Sequence, residues 1–172
     1  HPVLLRGRHG IGKSSVVYQY ATSVGLPVVE RRASQMTEGD LLGLPKVDDD
    51  VTSFCPPDWF AAACNSGVLL FLDEVDRATL EVRQGIFELC DSRKLAGHSL
   101  HPDTLIFAAV NGGTHAGAAS YQVGEMDPAE LDRYTVFDVE PSIDDWIIWA
   151  RDNCDPLVTD FIRNNTEHLE HN

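Results

Sequence analysis

Three short stretches hold side chains whose types and spacing suit work on a phosphate. Gly7, Arg8, His9, Gly10, Ile11, Gly12, Lys13 and Ser14 fit the spacing G-x-x-x-x-G-K-[ST] of a phosphate-binding loop. Glycine at Gly7, Gly10 and Gly12 lets the backbone wrap close to an anion without a Cβ clash. Lys13 is placed to reach the β- and γ-phosphates and the Ser14 hydroxyl to hold Mg²⁺. Average residue usage yields this pattern by accident in roughly one chain in a hundred or fewer of this length. The second stretch is Asp73-Glu74-Val75-Asp76, directly after an apolar run. Carboxylates at the end of a buried strand are costly unless they meet a cation or a partner. Asp73 therefore suits Mg²⁺ or a Mg²⁺-bound water, and Glu74 the base that orients or deprotonates an attacking water. Asp76 is the next candidate for that base. Taken alone, the tetrapeptide also fits a capping Asp beside a solvated Glu. The third is Asn111, whose amide suits a γ-phosphate or the attacking water, and which in isolation is a strand-end turn residue.

These groups need strands that end at one place. Val3-Leu4-Leu5 reads as a buried strand before the loop, and Ser14 to Ala21 as the start of a helix closed by Gly25. A strand, glycine loop and helix leave backbone N–H groups aimed at one spot, backed by the positive end of the helix dipole. Strand signals recur at Pro27 to Glu30, Val68 to Leu72, Leu105 to Val110 and Thr135 to Val139, alternating with helix signals. That alternation predicts an α/β domain with a mainly parallel sheet, whose carboxyl edge binds ligands.

The intervening stretches read more plainly. Thr37 to Asp40 caps a short helix stopped by Gly43 and Pro45, and Lys46 to Phe54 is an exposed hairpin or loop with a solvated acidic turn. Trp59 to Asn65 is a helix, and Thr79 to Asp91 an amphipathic one with Leu80, Val82, Ile86, Phe87 and Leu89 as core. Lys94 to His101 forms a small hairpin around Gly97, and its histidines lack metal-ligand spacing. Gly112 to Gly124, rich in Gly, Ala and Ser, is expected to be mobile. Asp127 and Pro128 open a helix, and Ser142 caps another whose Trp146, Ile147 and Trp149 read as core. Asp155-Pro156 opens the last helix, with Leu157, Phe161 and Ile162 on one face, and Glu167 to Asn172 is expected to fray.

The 172 residues suffice for one domain with a sizeable core, and 43% hydrophobic and 23% charged residues suit a globular chain. The formal charge of −14 argues against a broad grip on nucleic acid or an anionic membrane. No apolar run is long enough to span a bilayer. Cys55, Cys64, Cys90 and Cys154 form no C-x-x-C pair and read as reduced, mostly buried thiols, which points to the cytoplasm. The chain opens at His1-Pro2, directly on the first strand and without an initiator Met, and reads as a fragment or a processed chain.

Taken in order, the pieces resemble an AAA+ ATPase, and more closely its MoxR-like, dynein-related branch. Gly7 to Ser14 is similar to Walker A, Leu69 to Glu74 to Walker B, and Asn111 to sensor 1. Leu131-Asp132-Arg133-Tyr134 resembles the L-D-R-F element, which implies that Arg133 is an arginine finger. A plain surface pairing of Arg133 with Asp132 or Glu130 is the alternative. Asp40 to Pro45 resembles the segment leading into the helix 2 insert. The resemblance implies a three-layer P-loop NTPase fold with a mainly parallel five-stranded sheet, residues 1–151 forming the nucleotide-binding core. Residues 152–172 would be the start of the helical lid or a tail, the lid being largely absent from this chain. The resemblance implies ATP and Mg²⁺ as cofactors. Gly7, Arg8, His9, Gly10, Ile11, Gly12, Lys13, Ser14 and Ser15 would hold the nucleotide, Ser14 and Asp73 the metal. Glu74, Asn111 and Arg133 would serve hydrolysis. A homo-oligomer, by analogy a hexameric ring, would remodel a protein client, for which a von Willebrand A-domain protein is a candidate. Two alternatives stay open: a nucleic-acid-linked motor or restriction-type subunit, and a regulatory nucleotide-binding subunit with little turnover.

Overall fold

The computed structural model describes residues 1–111, 126–166 and 168. The stretch Gly112 to Gly124 and most of Glu167 to Asn172, expected to be mobile and frayed, lie outside the described residues.

Chain order runs β1 (Val3–Arg6), α1 (Lys13–Val24), β2 (Val28–Arg32), α2 (Glu38–Leu42), and a hairpin of β3 (Leu44–Asp48) and β4 (Val51–Cys55). Next come α3 (Asp58–Asn65), β5 (Leu69–Asp73), α4 (Leu80–Ser92) and the small hairpin β6 (Lys94–Leu95) and β7 (His98–Ser99). The chain continues through β8 (Leu105–Val110), α5 (Pro128–Leu131), β9 (Thr135–Asp138), α6 (Ile143–Asn153) and α7 (Pro156–Asn164). Five strands make one sheet in the order β2-β5-β8-β1-β9, and every pairing in it is parallel.

The apolar runs explain the layers. Successive residues of a strand face opposite sides, so a strand covered on both faces must be apolar throughout. In β5, Leu69 and Phe71 pack with Val17 and Ala21 of α1, while Leu70 and Leu72 pack with Val82, Ile86 and Leu89 of α4. Thr104, fully buried, accepts from Val68 N and donates to Ala63 O, which fixes the starts of β5 and β8 against α3. From β1 the chain crosses to the far edge at β2, returns through β5 and β8, and then passes over to β9 on the other side, so strand order reverses beside β1. A ligand crevice belongs there.

Local signals set the helix ends. Gly25 closes α1 in the left-handed region at φ 71°, and Thr37 and Asp40 form a full capping box on α2. Gly43 has no alternative residue, since φ is 86° and a Cβ would meet Cys55 O.

Some expectations do not hold. Leu80 is 64% exposed and Phe87 only half-buried, because the inward stripe of α4 runs through Val82, Ile86, Leu89 and Cys90 and leaves Leu80 behind it. In α6 only Ala150 is buried, and Trp149 is 51% exposed, while Leu157 and Phe161 of α7 also face outward. These two helices pack on each other, and of their residues Ala150 and Thr159 are buried while Trp146, Ile147 and Ile162 are half-buried. Pro45 stands inside β3 rather than stopping α2, whose end is set by Gly43.

Nor are the thiols mostly buried. Cys55 is exposed, Cys64 and Cys154 are half-buried, and Cys90 alone is buried. Cys90 Sγ lies 3.2 Å from Tyr134 Oη, and burial pushes its pKa up to about 11 against a smaller downward pull from the tyrosine hydroxyl. The thiolate is the reactive form. Cys55 is therefore expected to react with a disulfide reagent at pH 8 before the others, and Cys90 only on unfolding. A timed titration with and without denaturant, read by mass spectrometry of the modified peptides, checks this order.

Candidate active site

The carboxyl ends of β1, β8 and β5 lie along one edge and hand over to Gly7, Asn111 and Glu74. The loop after β1 is anchored where Gly7 N donates to Val110 O at 3.3 Å. A Cβ on Gly7 would strike Ile11 and Val139 O, whereas Gly10 and Gly12 face open space but hold φ of 81° and 88°. Gly7 is glycine for room and the other two for backbone conformation. No side chain caps the first turn of α1, and it holds no acid, so its N–H groups stay available to an anion.

Lys13 closes the loop on itself. Its Nζ donates to Gly7 O at 2.7 Å, Arg8 O at 2.7 Å and Asn111 Oδ1 at 3.0 Å. Burial lowers its pKa, opposed by the nearby charges of Asp73, Asp76 and Glu74. A cavity of about 420 Å³ opens beside it, lined by His9, Gly10, Gly12, Lys13, Ser14, Arg32, Asp73, Glu74 and Asn111. Gly7, Arg8, Ile11 and Ser15 do not line it. They shape the loop or start the helix.

On the opposite wall, Asp73 Oδ1 accepts from Glu74 N at 2.8 Å. Burial raises the Asp73 pKa, and the negative charge of Glu74 adds to this, while the Glu74 N–H and Lys13 pull it down. Glu74 itself sits at φ 55°, ψ 39°, a left-handed conformation that a non-glycine residue occupies at a cost. Its carboxylate is held there by a hydrogen bond from Ser34 Oγ, in the short turn Ala33–Gln35 after β2. Asp76 does not reach the cavity. It is 5% exposed, and its Oδ2 accepts from Asn111 N at 3.2 Å, so it positions Asn111 from behind. Among the described residues its Oδ1 and Asn111 Nδ2 have no hydrogen-bond partner.

A cavity with a buried ammonium, a hydroxyl and a carboxylate fits a nucleotide phosphate with Mg²⁺, a metal that takes few protein ligands and keeps several waters. Among the described residues no cluster of three or more His, Cys, Asp or Glu side chains is placed to hold a metal ion. The family profile of the AAA domain, dynein-related subfamily, matches residues 2–133. The chain belongs to that family. This AAA domain is also similar in fold to solved structures of RuvB from Thermotoga maritima. One mutant has a TM-score of 0.56 at 14% identity, covering 85% of this chain and 40% of that one. A second mutant has a TM-score of 0.57 at 15% identity, covering 85% and 41%. A further RuvB structure, described as a Holliday junction branch migration motor, has a TM-score of 0.54 at 12% identity, covering 85% and 40%. This AAA domain thus spans about two fifths of the RuvB chains it matches.

Arg133 is not brought to the cavity of its own chain. Its guanidinium lies over the Phe87 ring at 4.8 Å, with Nε 2.9 Å from Asp91 Oδ1. The pairing with Asp132 or Glu130 is not formed, because Glu130 is taken by Arg83 at 2.6 Å across α4 and α5. Arg32 and Ser34 are the site residues that sequence motifs do not mark. Arg32 ends, and Ser34 follows, an edge strand whose charge pattern carries no signature, and only the alignment of β2 on β5 places them beside Glu74.

A carboxylate with a burial-raised pKa costs the folded state whenever it is ionised. Stability is lost as pH rises from the ordinary carboxylate value of about 3.9 through the raised folded one. Asp73→Asn keeps the acceptor for Glu74 N–H and removes the charge. It is expected to raise Tm without ligand at pH 7 by about 1–3 °C, a value discounted for partial exposure. Any stabilisation of the parent by Mg²⁺ with ATP should be mostly lost in the same variant. Thermal melts with and without Mg²⁺ and ATP read both effects.

Proposed function

We propose that this AAA domain binds ATP with Mg²⁺ and hydrolyses it, as the motor of a MoxR-like ring that remodels a protein client. The observation that carries the reading is the buried Lys13 ammonium, drawn to Gly7 O, Arg8 O and Asn111 Oδ1 beside Ser14, Asp73 and Glu74. A cation stripped of water and braced by carbonyls is suited to exchange one of them for phosphate oxygens. Ser14 and Asp73 are the residues to hold Mg²⁺, which when bound neutralises charge on the β- and γ-oxygens.

Placement supports the remaining roles. Glu74 lines the cavity at the end of a central strand and takes the proton of the attacking water, with Ser34 fixing its carboxylate. Asn111, braced by Asp76 from behind, offers its amide to the γ-phosphate or that water. Arg133, held away from its own cavity by Asp91 and Phe87, acts on the nucleotide of a neighbouring subunit. The formal charge of −14 favours a protein client over nucleic acid. A von Willebrand A-domain protein is the partner type that the MoxR-like reading suggests.

Lys13→Ala is expected to abolish nucleotide binding, and Glu74→Gln to retain it while hydrolysis stops. Calorimetry and a phosphate-release assay on the same preparations separate the two. Unchanged ATP affinity in the lysine variant would sink the site.

Arg133→Ala is expected to leave ATP affinity nearly intact and to cut hydrolysis by on the order of 10³–10⁵, the scale of arginine fingers in related reactions. Mixing Arg133→Ala with Glu74→Gln subunits restores part of the activity, because one interface then has both groups intact. Assembled mixtures that stay inactive would remove Arg133 from catalysis.

A further inference from the structure

Arg31 and Arg32 end β2 side by side and part company there, since neighbouring residues of a strand face opposite ways. Arg31 turns towards α3, where its guanidinium lies 3.6 Å from Asp58 and Nη1 donates to Glu30 O. Arg32 shares the face of Glu30, whose carboxylate accepts from Tyr18 Oη of α1 at 2.6 Å. That face carries the phosphate loop. Arg32 stands opposite Asp73 in the strand register and lines the cavity with Lys13, Ser14, Asp73 and Glu74.

Arg32 is exposed and makes no hydrogen bond or ion pair among the described residues, although Asp73 and Glu74 share its cavity. Every other charged group named there is engaged. Lys13 is bound by three oxygens, Asp73 by a backbone N–H and Glu74 by Ser34. A guanidinium left over beside such a set is a fork of donors for an anion that enters the cavity.

We infer that Arg32 is a second phosphate-contacting residue, which reads the terminal phosphate of a nucleoside triphosphate in its own subunit. The inference rests on the nucleotide reading proposed above. Its position selects the terminal phosphate. The loop and Lys13 lie at the end of β1, whereas Arg32 stands further along the sheet edge at the end of β2, beside Asp73 and Glu74, where the metal and the attacking water belong. The contact would distinguish a triphosphate from a diphosphate, which carries no group at that end.

The test titrates fluorescent ATP and ADP analogues, with Mg²⁺, into the parent chain and into Arg32→Gln and Arg32→Lys. Loss of one charge-assisted contact is expected to weaken ATP by about 10- to 100-fold in Arg32→Gln. ADP affinity should stay within roughly twofold of the parent, since a diphosphate lacks the group that Arg32 reads. Arg32→Lys should recover part of the ATP affinity by returning the charge without the fork. The unchanged ADP affinity also serves as the check that the variant is folded. Equal loss for both nucleotides, or no loss for either, overturns the inference while leaving the nucleotide reading in place. A parent chain that binds neither nucleotide overturns both.

Discussion

The Lys13 ammonium sits out of water, 7% exposed, and the groups at the carboxyl edge of the sheet are disposed around its charge. An ammonium in that setting needs oxygen partners, and it takes them from three places: the end of β1, the loop itself and the end of β8. The lysine thereby ties together two adjacent strand ends and the turn between strand and helix. The same bonds draw Asn111 to the loop, which is how an amide distant in sequence becomes part of one cavity. Burial and negative charge work against each other on this group, the first lowering its pKa and the carboxylates raising it.

Those carboxylates are poised by constraint rather than by ion pairing. Asp73 ends a fully buried strand, so its charge is only partly solvated, and Glu74 is turned aside by a left-handed backbone conformation that costs free energy. Strain of this kind persists where surrounding contacts fix it, and the Ser34 hydroxyl is one of them. Asp76 supplies another fixed point, on the far side of Asn111. Two carboxylates therefore face the cavity while a third braces its wall.

The sheet makes this possible because its centre is dry on both faces. Leucines and phenylalanines of β5 and β8 pack alternately against α1 and α4, so the strand ends have little freedom to shift. The periphery is different. α6 and α7 present Trp149, Leu157 and Phe161 outward, and Arg133 is held on α4 by Asp91 and Phe87 instead of at the cavity. An apolar stripe becomes core only where a second layer meets it, and in these helices the buried residues are Ala150 and Thr159.

How much was legible beforehand follows from the range of each signal. The loop from Gly7 to Ser14, the parallel α/β class, the two hairpins and the caps at Thr37, Asp127 and Ser142 rest on neighbours in sequence, where backbone conformation and hydrogen bonding are decided locally. Asp73, Glu74 and Asn111 were placed at one edge because buried parallel strands bring their carboxyl ends together. What only the tertiary structure decided depends on which strands adjoin and which faces are covered. The alignment of β2 on β5 sets Arg32 and Ser34 beside Glu74, the β8 neighbour of β1 sets Asn111 on Lys13, and α4 takes Arg133. Each is a contact between groups far apart along the chain, and periodicity and spacing carry no information about such pairs until the strands have chosen their order.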